Sequence, residues 1–303
     1  MKRKIAECMA VVLMIGMMTG CGQEKKDPAD AFKGTYVISA EDAAKLADDD
    51  NVMFLDARGE KKAGRGTVEG AVATDWQQLS TCSEGNAGDE KWGLVPEPAD
   101  LEKRLGKLGL DKEKEIIIIG EPKDGWGEDG RVLWELLEAD FRDVKIVDGG
   151  MKALKKTDIP MQKGGSKAKK TKVEIDKLDQ SHDISTEELQ ENYDKYKIVD
   201  ARTEKEYNGA VLYNEAQGGH LPGAVNIPYL SMLNKDGTLK SNKELEKIFE
   251  DAGLEKMDEI VIYCTGGIRS AYMQLVMEMC GYTHTYSYGQ SFWRWAVVGD
   301  VEK

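Results

Sequence analysis

The chain has 303 residues, 41% of them hydrophobic and 7% aromatic, which is ordinary globular material and enough for two cores. Its 42 Lys and Arg are outnumbered by 55 Asp and Glu, a formal net charge of -13. No broad basic face can be assembled from that balance, so a nucleic-acid partner is excluded.

The amino terminus reads as a targeting segment: Lys2, Arg3 and Lys4 precede an apolar run from Met9 to Met18, closed by Met18-Thr19-Gly20-Cys21. The run is shorter than the roughly 20 residues of a spanning helix. The closing tetrapeptide resembles a lipobox. That resemblance implies cleavage after residue 20, lipidation of Cys21, and a protein held by lipid on the extracytoplasmic face of the cell membrane. Residues 21–34, with Lys25, Lys26 and Asp27, then form a polar tether.

Beyond the tether the sequence repeats itself. MFLDAR (Met53 to Arg58) returns as KIVDAR (Lys197 to Arg202), and EIIIIG (Glu115 to Gly120) returns as EIVIYC (Glu259 to Cys264). Asp56 and Asp200, like Gly120 and Cys264, stand 144 positions apart. Looser matches pair EGAV (Glu69 to Val72) with PGAV (Pro222 to Val225), and VDGG (Val147 to Gly150) with SYGQ (Ser287 to Gln290). So long a period is domain duplication; solenoid repeats run roughly 20–50 residues. Within each copy, short apolar β-branched runs alternate with helical patterns such as Ala99 to Leu108 and Arg131 to Ala139. Each copy is therefore expected to be an α/β domain, a parallel sheet flanked by helices on both faces. The expected domains are 35–160 and 184–303, joined by a linker over 161–183 whose glycines and lysines (Met161 to Glu174) suit a solvated segment.

Cys8 lies in the signal and Cys21 takes the lipid, leaving Cys82, Cys264 and Cys280. They make no disulfide framework. With only His182, His220 and His284 beside them, no zinc or haem ligand set is present, and no cofactor is expected. Cys82 falls in a polar stretch and reads as an exposed loop residue; Cys280 falls on an apolar helix face and reads as core. Cys264 is different. It ends an apolar strand and is followed by Thr265, Gly266, Gly267, Ile268, Arg269 and Ser270 at the start of a helix. Glycines there let successive N–H groups turn toward the sulfur, and with the helix terminus and Arg269 they favour a thiolate. Such a sheet edge is where open α/β folds bind ligands.

The chain resembles the tandem-domain rhodaneses, or sulfurtransferases. The likeness rests on Asp200-Ala201-Arg202 with Glu206-Tyr207, the turn Gly219 to Ala224 leading to Asn226-Ile227-Pro228, the CTGGIR loop, and Gly289 to Trp295. The resemblance implies that Cys264 takes sulfane sulfur from a small-molecule donor as a persulfide and hands it to a thiol, cyanide or protein acceptor. Loop residues 265–270 would bind substrate, and Asp200 and Arg202 would support the site. It also implies an inactive N-terminal domain, in keeping with Gly120 at the register of Cys264, so that residues 120–131 are expected to serve stability and not chemistry. Rhodanese-fold phosphatases and arsenate reductases place one more residue between cysteine and arginine than the four found here. Thiosulfate is the expected donor, drawn in by the charge of Arg269. The loop has neither the basic residues of thiosulfate-specific members nor the Gly-Ser-Gly type of mercaptopyruvate-specific ones. A 3-mercaptopyruvate sulfurtransferase and a non-catalytic persulfide relay or binding module therefore remain alternatives. His220 reads as structural, and Trp293 and Trp295 read as packing residues, with a wall of the cleft as the alternative for Trp293.

Overall fold

The structure is a computed structural model that describes residues 31–303. The signal segment and Cys21 lie outside the described residues. The first half runs β1 (Val37–Ile38), α1 (Ala40–Lys45), β2 (Val52–Asp56), α2 (Glu60–Ala63), β3 (Thr67–Val68), β4 (Val72–Ala73), α3 (Trp76–Leu79), α4 (Pro98–Lys107), β5 (Glu115–Ile119), α5 (Glu128–Glu138), β6 (Val144–Val147), α6 (Gly150–Leu154) and β7 (Met161–Gln162). The second half runs α7 (Thr186–Glu191), β8 (Lys197–Asp200), α8 (Glu204–Tyr207), β9 (Val225–Asn226), α9 (Asn242–Asp251), β10 (Ile260–Tyr263), α10 (Ile268–Met279), β11 (Thr285–Ser287) and α11 (Ser291–Val298).

Two parallel sheets result, ordered β1-β6-β5-β2-β4 and β11-β10-β8-β9. The repeat predicts this register. Asp56 pairs with Ile119 as Asp200 pairs with Tyr263, so Gly120 and Cys264 follow equivalent strand ends. Both faces of each sheet are covered, which explains the continuous apolar runs. In β5, Ile116 and Ile118 enter one core, while Ile117 and Ile119 enter another with Ala43 of α1 and Leu154 of α6. In β10, Ile260 and Ile262 join that first core, while Val261 and Tyr263 pack with Leu189 of α7 and Trp295 of α11. The first core is common to the two halves, so their inner faces are buried against one another.

At its centre α5 lies on α10, the two helices that follow the equivalent strand ends. Glycines permit the approach: a Cβ on Gly130 would stand 2.5 Å from Tyr272 Cδ2, and Gly127 adopts φ +80° beside the same ring. Tyr229 adds a hydrogen bond from its hydroxyl to the Pro122 carbonyl at 2.8 Å, and Gln290 Nε2 donates to the Glu90 carbonyl at 2.7 Å.

The segment expected to be a solvated linker is stitched down. Met161–Gln162 pairs antiparallel with β3, Thr171 N–H donates to the Gly106 carbonyl, and Ile175 N–H donates to Glu102 Oε1. Val173 and Ile175 are buried in the shared core, whereas the lysines around them face solvent. Val173 and Ile175 drive this, since two apolar residues spaced by two along an extended segment share its inner face.

Candidate active site

Strand β10 delivers Cys264 to the sheet edge, and the chain turns there through Gly267, whose φ of +87° suits glycine, into α10. Gly267 N–H donates to Cys264 Sγ at 3.2 Å. Burial alone would raise the thiol pKa, but the charge of Arg269 and the N–H groups of Ser270, Gly266 and Gly267 outweigh it, leaving Cys264 below its ordinary value. The other two described thiols go the opposite way. Burial pushes Cys280 up to about 12 and also raises Cys82. Cys82 is half-buried, with Sγ 3.1 Å from Ser80 Oγ, and not the exposed loop residue expected of its polar neighbours.

The loop is fastened from behind. Cys264 N–H donates to Ser291 Oγ at 3.1 Å, and Ser291 holds the left-handed φ of +53°, a strained value for a residue with a Cβ. Phe292 and Trp293 N–H groups donate to the carbonyls of Cys264 and Thr265. Ser270, expected at the substrate, presents its N–H to the sulfur while its hydroxyl accepts from Ser287 Oγ.

Asp200 and Arg202 brace the loop without lining the cavity. Arg202 donates to both Asp200 oxygens and to the Gly219 carbonyl, Tyr263 O–H donates to Asp200 Oδ2 at 2.5 Å, and the guanidinium lies 3.9 Å from the centre of the Phe292 ring. The first half repeats this brace, with Arg58 on Asp56 and the Gly66 carbonyl. His220 is structural as expected: Nδ1 lies 3.0 Å from the Tyr207 carbonyl and the two rings stack at 3.8 Å.

Arg269 departs from the sequence reading. Its guanidinium is not free charge at the cavity mouth, because Nη1 and Nη2 donate to Glu206 Oε2 and Oε1 at 3.0 and 2.8 Å, and Nη2 also donates to Thr265 Oγ1 at 2.7 Å. Glu206 is the N3 residue of a capping box on α8 as well, accepting from Thr203 N–H and O–H. Burial would raise its pKa, yet the Arg269 hydrogen bonds and charge hold it at about 2.

A cavity of about 340 Å³ opens on Cys264, Thr265, Gly266, Ile268 and Arg269, with Trp293 in its wall, the alternative of its two readings. The first half supplies Trp76, Gln77, Trp126 and Glu128 to it. Arg131, fully buried on α5, donates to the Gly267 carbonyl at 3.4 Å, to the Gly93 carbonyl at 3.2 Å and to Glu135 at 2.9 Å. The expectation that 120–131 serves stability alone is thus corrected, since this segment lines the cavity and holds the loop. No feature of the sequence by itself joins these residues to Cys264.

At Gly120 the first half has no thiol. A Cβ there would meet Asp129 Cγ at 2.1 Å, so the Asp129 carboxyl fills the position of the missing side chain. No side chain among the described residues hydrogen-bonds its buried oxygens, and burial, aided by the charge of Glu128, lifts its pKa to about 7 against the pull of the Asp129 and Gly130 N–H groups.

The rhodanese-like domain profile matches this chain twice, at residues 39–157 and 185–297. The chain belongs to the rhodanese-like domain family. It is similar to the sulfur carrier protein TtuD of Thermus thermophilus, 26% identical over 247 residues, 76% of this chain and 82% of that protein. It is also similar to a Mycobacterium leprae protein that bears the name of a thiosulfate sulfurtransferase, 25% identical over 278 residues, 89% of this chain and 96% of that one. Among solved structures, SseA of Escherichia coli, described as a 3-mercaptopyruvate sulfotransferase, superposes with a TM-score of 0.73 at 22% identity, over 84% of this chain and 98% of its own. This rhodanese-like architecture accounts for both sheets and for their shared core.

Proposed function

We propose that the protein is a sulfurtransferase in which Cys264 accepts sulfane sulfur from a donor of the thiosulfate class and passes it to a thiophilic acceptor. The observation that carries this reading is the setting of one thiol: of the described cysteines, Cys264 alone opens onto a cavity with an arginine and turn N–H groups holding its pKa below the ordinary value. The thiolate attacks the outer sulfur of thiosulfate, the S–S bond to the sulfonyl sulfur breaks, and sulfite leaves with the electron pair. The charge of the persulfide falls to the N–H groups of the 264–270 turn. Cyanide then removes the outer sulfur as thiocyanate and regenerates the thiolate. No proton donor is needed in either half.

The first domain acts as a scaffold and cavity wall, with Asp129 in place of a nucleophile. The names of the relatives support donors of both the thiosulfate and mercaptopyruvate kinds. Thiosulfate is favoured because its reaction ends on a stable leaving anion without proton transfer. The experiment is thiocyanate release from thiosulfate and cyanide, with 3-mercaptopyruvate and a thiol in parallel. Turnover that vanishes in Cys264→Ser supports the reading, and strong preference for mercaptopyruvate moves the donor assignment. A protein that carries a persulfide but turns over neither donor is a relay module.

We also infer lipid attachment through Cys21, on the strength of Met18-Thr19-Gly20-Cys21. Detergent-phase partitioning that is lost in Cys21→Ala supports it, and a wild-type protein wholly in the aqueous phase contradicts it.

A further inference from the structure

Glu138 closes α5 with its side chain fully buried and neither carboxyl oxygen hydrogen-bonded among the described residues. A helix C-terminus disfavours a carboxylate further, since the last carbonyls already carry negative charge. The connector into the second half crosses at this point. Asp179 N–H donates to the Glu138 carbonyl at 2.9 Å, and Trp134 Nε1 donates to the His182 carbonyl at 3.3 Å. Asp183 and Asp179 of the connector and Glu135 of α5 all oppose a charge on Glu138, and Arg131, which favours one, is bonded to Glu135 at 2.9 Å. Other basic groups on the packed elements are engaged elsewhere or exposed: Arg142 on Asp140 and Asp179, Arg104 on Asp100, Arg269 on Glu206, His182 beside Glu278, and Lys177 in solvent.

The connector leads from Glu138 to the cysteine loop. Asp183 forms a parallel bridge with Ser287 at the end of β11, and its carboxylate accepts the N–H groups of Ile184 and Gly289. Ser287 Oγ in turn donates to Ser270 Oγ at 3.0 Å. The Gly289 carbonyl lies against the turn itself, 2.2 Å from where a Cβ on Gly267 would stand. Displacement of Asp183 therefore reaches both sides of the loop that holds Cys264.

We propose that Glu138 is a proton-operated latch between the two halves: neutral, it lets the connector lie against α5, and ionised, it repels Asp183 and Asp179 and slackens the cysteine loop through Ser287 and Gly289. Burial, with the charges of Asp183 and Asp179, lifts the Glu138 carboxyl to about 9, whereas Asp183 is lifted to about 6 and is charged at neutral pH. The sign follows from a bound-state value above the ordinary 4.5. The hold is complete below pH 4.5 and is lost as pH rises through about 9.

The test has a kinetic arm, which rests on the sulfurtransfer reading, and a structural arm, which does not. In the first, the rate of persulfide formation from thiosulfate is followed by intact mass between pH 6 and 10 in the full-length protein; cyanide, which itself titrates, is left out. Wild type should rise with the thiolate and then fall about fivefold or more on the alkaline side, reversibly, the scale of coupling between linked sites. Glu138→Gln should keep the plateau, and Asp183→Asn should weaken the fall by removing the facing charge. In the second arm, exchange of the Asp179 amide, corrected for its intrinsic pH dependence, should lose protection between pH 6 and 10 in wild type but not in Glu138→Gln. Unchanged protection in wild type, or an alkaline fall of equal size in both variants, overturns the latch. No persulfide at any pH defeats the sulfurtransfer reading alone, because amide exchange still decides whether the latch opens.

Discussion

Glu206 and Arg269, 63 positions apart in sequence, form a two-pronged ion pair at 2.8 and 3.0 Å beside Cys264. The arginine that favours the thiolate is thereby fixed in place and, at the same time, prevented from acting as a free anion receptor. Thiol activation and donor attraction, united in one residue by the sequence, are separate properties of the folded site.

Replacing Arg269 should therefore act first on the thiol. In Arg269→Ala the pH midpoint of Cys264 alkylation by iodoacetamide should move up, because a cation that lowers the thiol pKa is gone. Arg269→Lys should move it less, keeping charge but losing the fork that engages Glu206. An unmoved midpoint in Arg269→Ala assigns thiol activation to the loop N–H groups alone.

Glu206→Gln should destabilise the protein at neutral pH by about 3 kcal/mol, the cost of leaving a buried charge unpaired. Glu206 has a folded pKa depressed from 4.5 to about 2. Its contribution is therefore present above pH 4.5 and is lost as pH falls from there toward about 2. Urea titrations should show the gap between wild type and variant narrowing across that window.

Arg131 lies on the other domain yet holds a carbonyl of the cysteine loop, so its loss should affect rate as well as stability. Arg131→Ala should lose about 3 kcal/mol, since Glu135 is left buried without its cation. Arg131→Lys should keep more of the melting temperature but lower kcat/KM several-fold, because an ammonium cannot span the Gly93 and Gly267 carbonyls and Glu135 together. Thermal melts beside steady-state kinetics check this. A Lys variant with wild-type kcat/KM reduces Arg131 to a packing role.

Asp129→Asn should stabilise the protein at pH 8 by about 1–2 kcal/mol, as a buried carboxylate whose desolvation outweighs the N–H groups beside it is replaced by a neutral amide. The sign follows from a folded pKa raised from 3.8 to about 7. The group's contribution is present below pH 3.8 and lost as pH rises through about 7. Stability measured by denaturation across pH 4 to 8 should thus fall less steeply in the variant.

The duplication, the strand ends and the cysteine loop are legible in the sequence because each depends on neighbours along the chain. Apolar runs declare buried parallel strands, and Gly266-Gly267 before a helix declares a turn with inward N–H groups. Residues joined only by the docking of the halves are not legible. Trp126, Glu128 and Arg131 reach Cys264 across the α5–α10 packing, and Glu206 reaches Arg269 from a short helix after β8. Val173 and Ile175 were readable in principle, since their period of two lies within the lysine-rich segment that composition assigns to solvent.

The central claim is that Cys264 carries sulfur, and intact-mass measurement after incubation with a sulfane-sulfur donor tests it most directly. Wild type should gain the mass of one sulfur atom and lose it on addition of cyanide, while Cys264→Ser should gain none. An unchanged wild-type mass with both thiosulfate and 3-mercaptopyruvate, or a cyanide-labile sulfur retained in Cys264→Ser, would contradict the account.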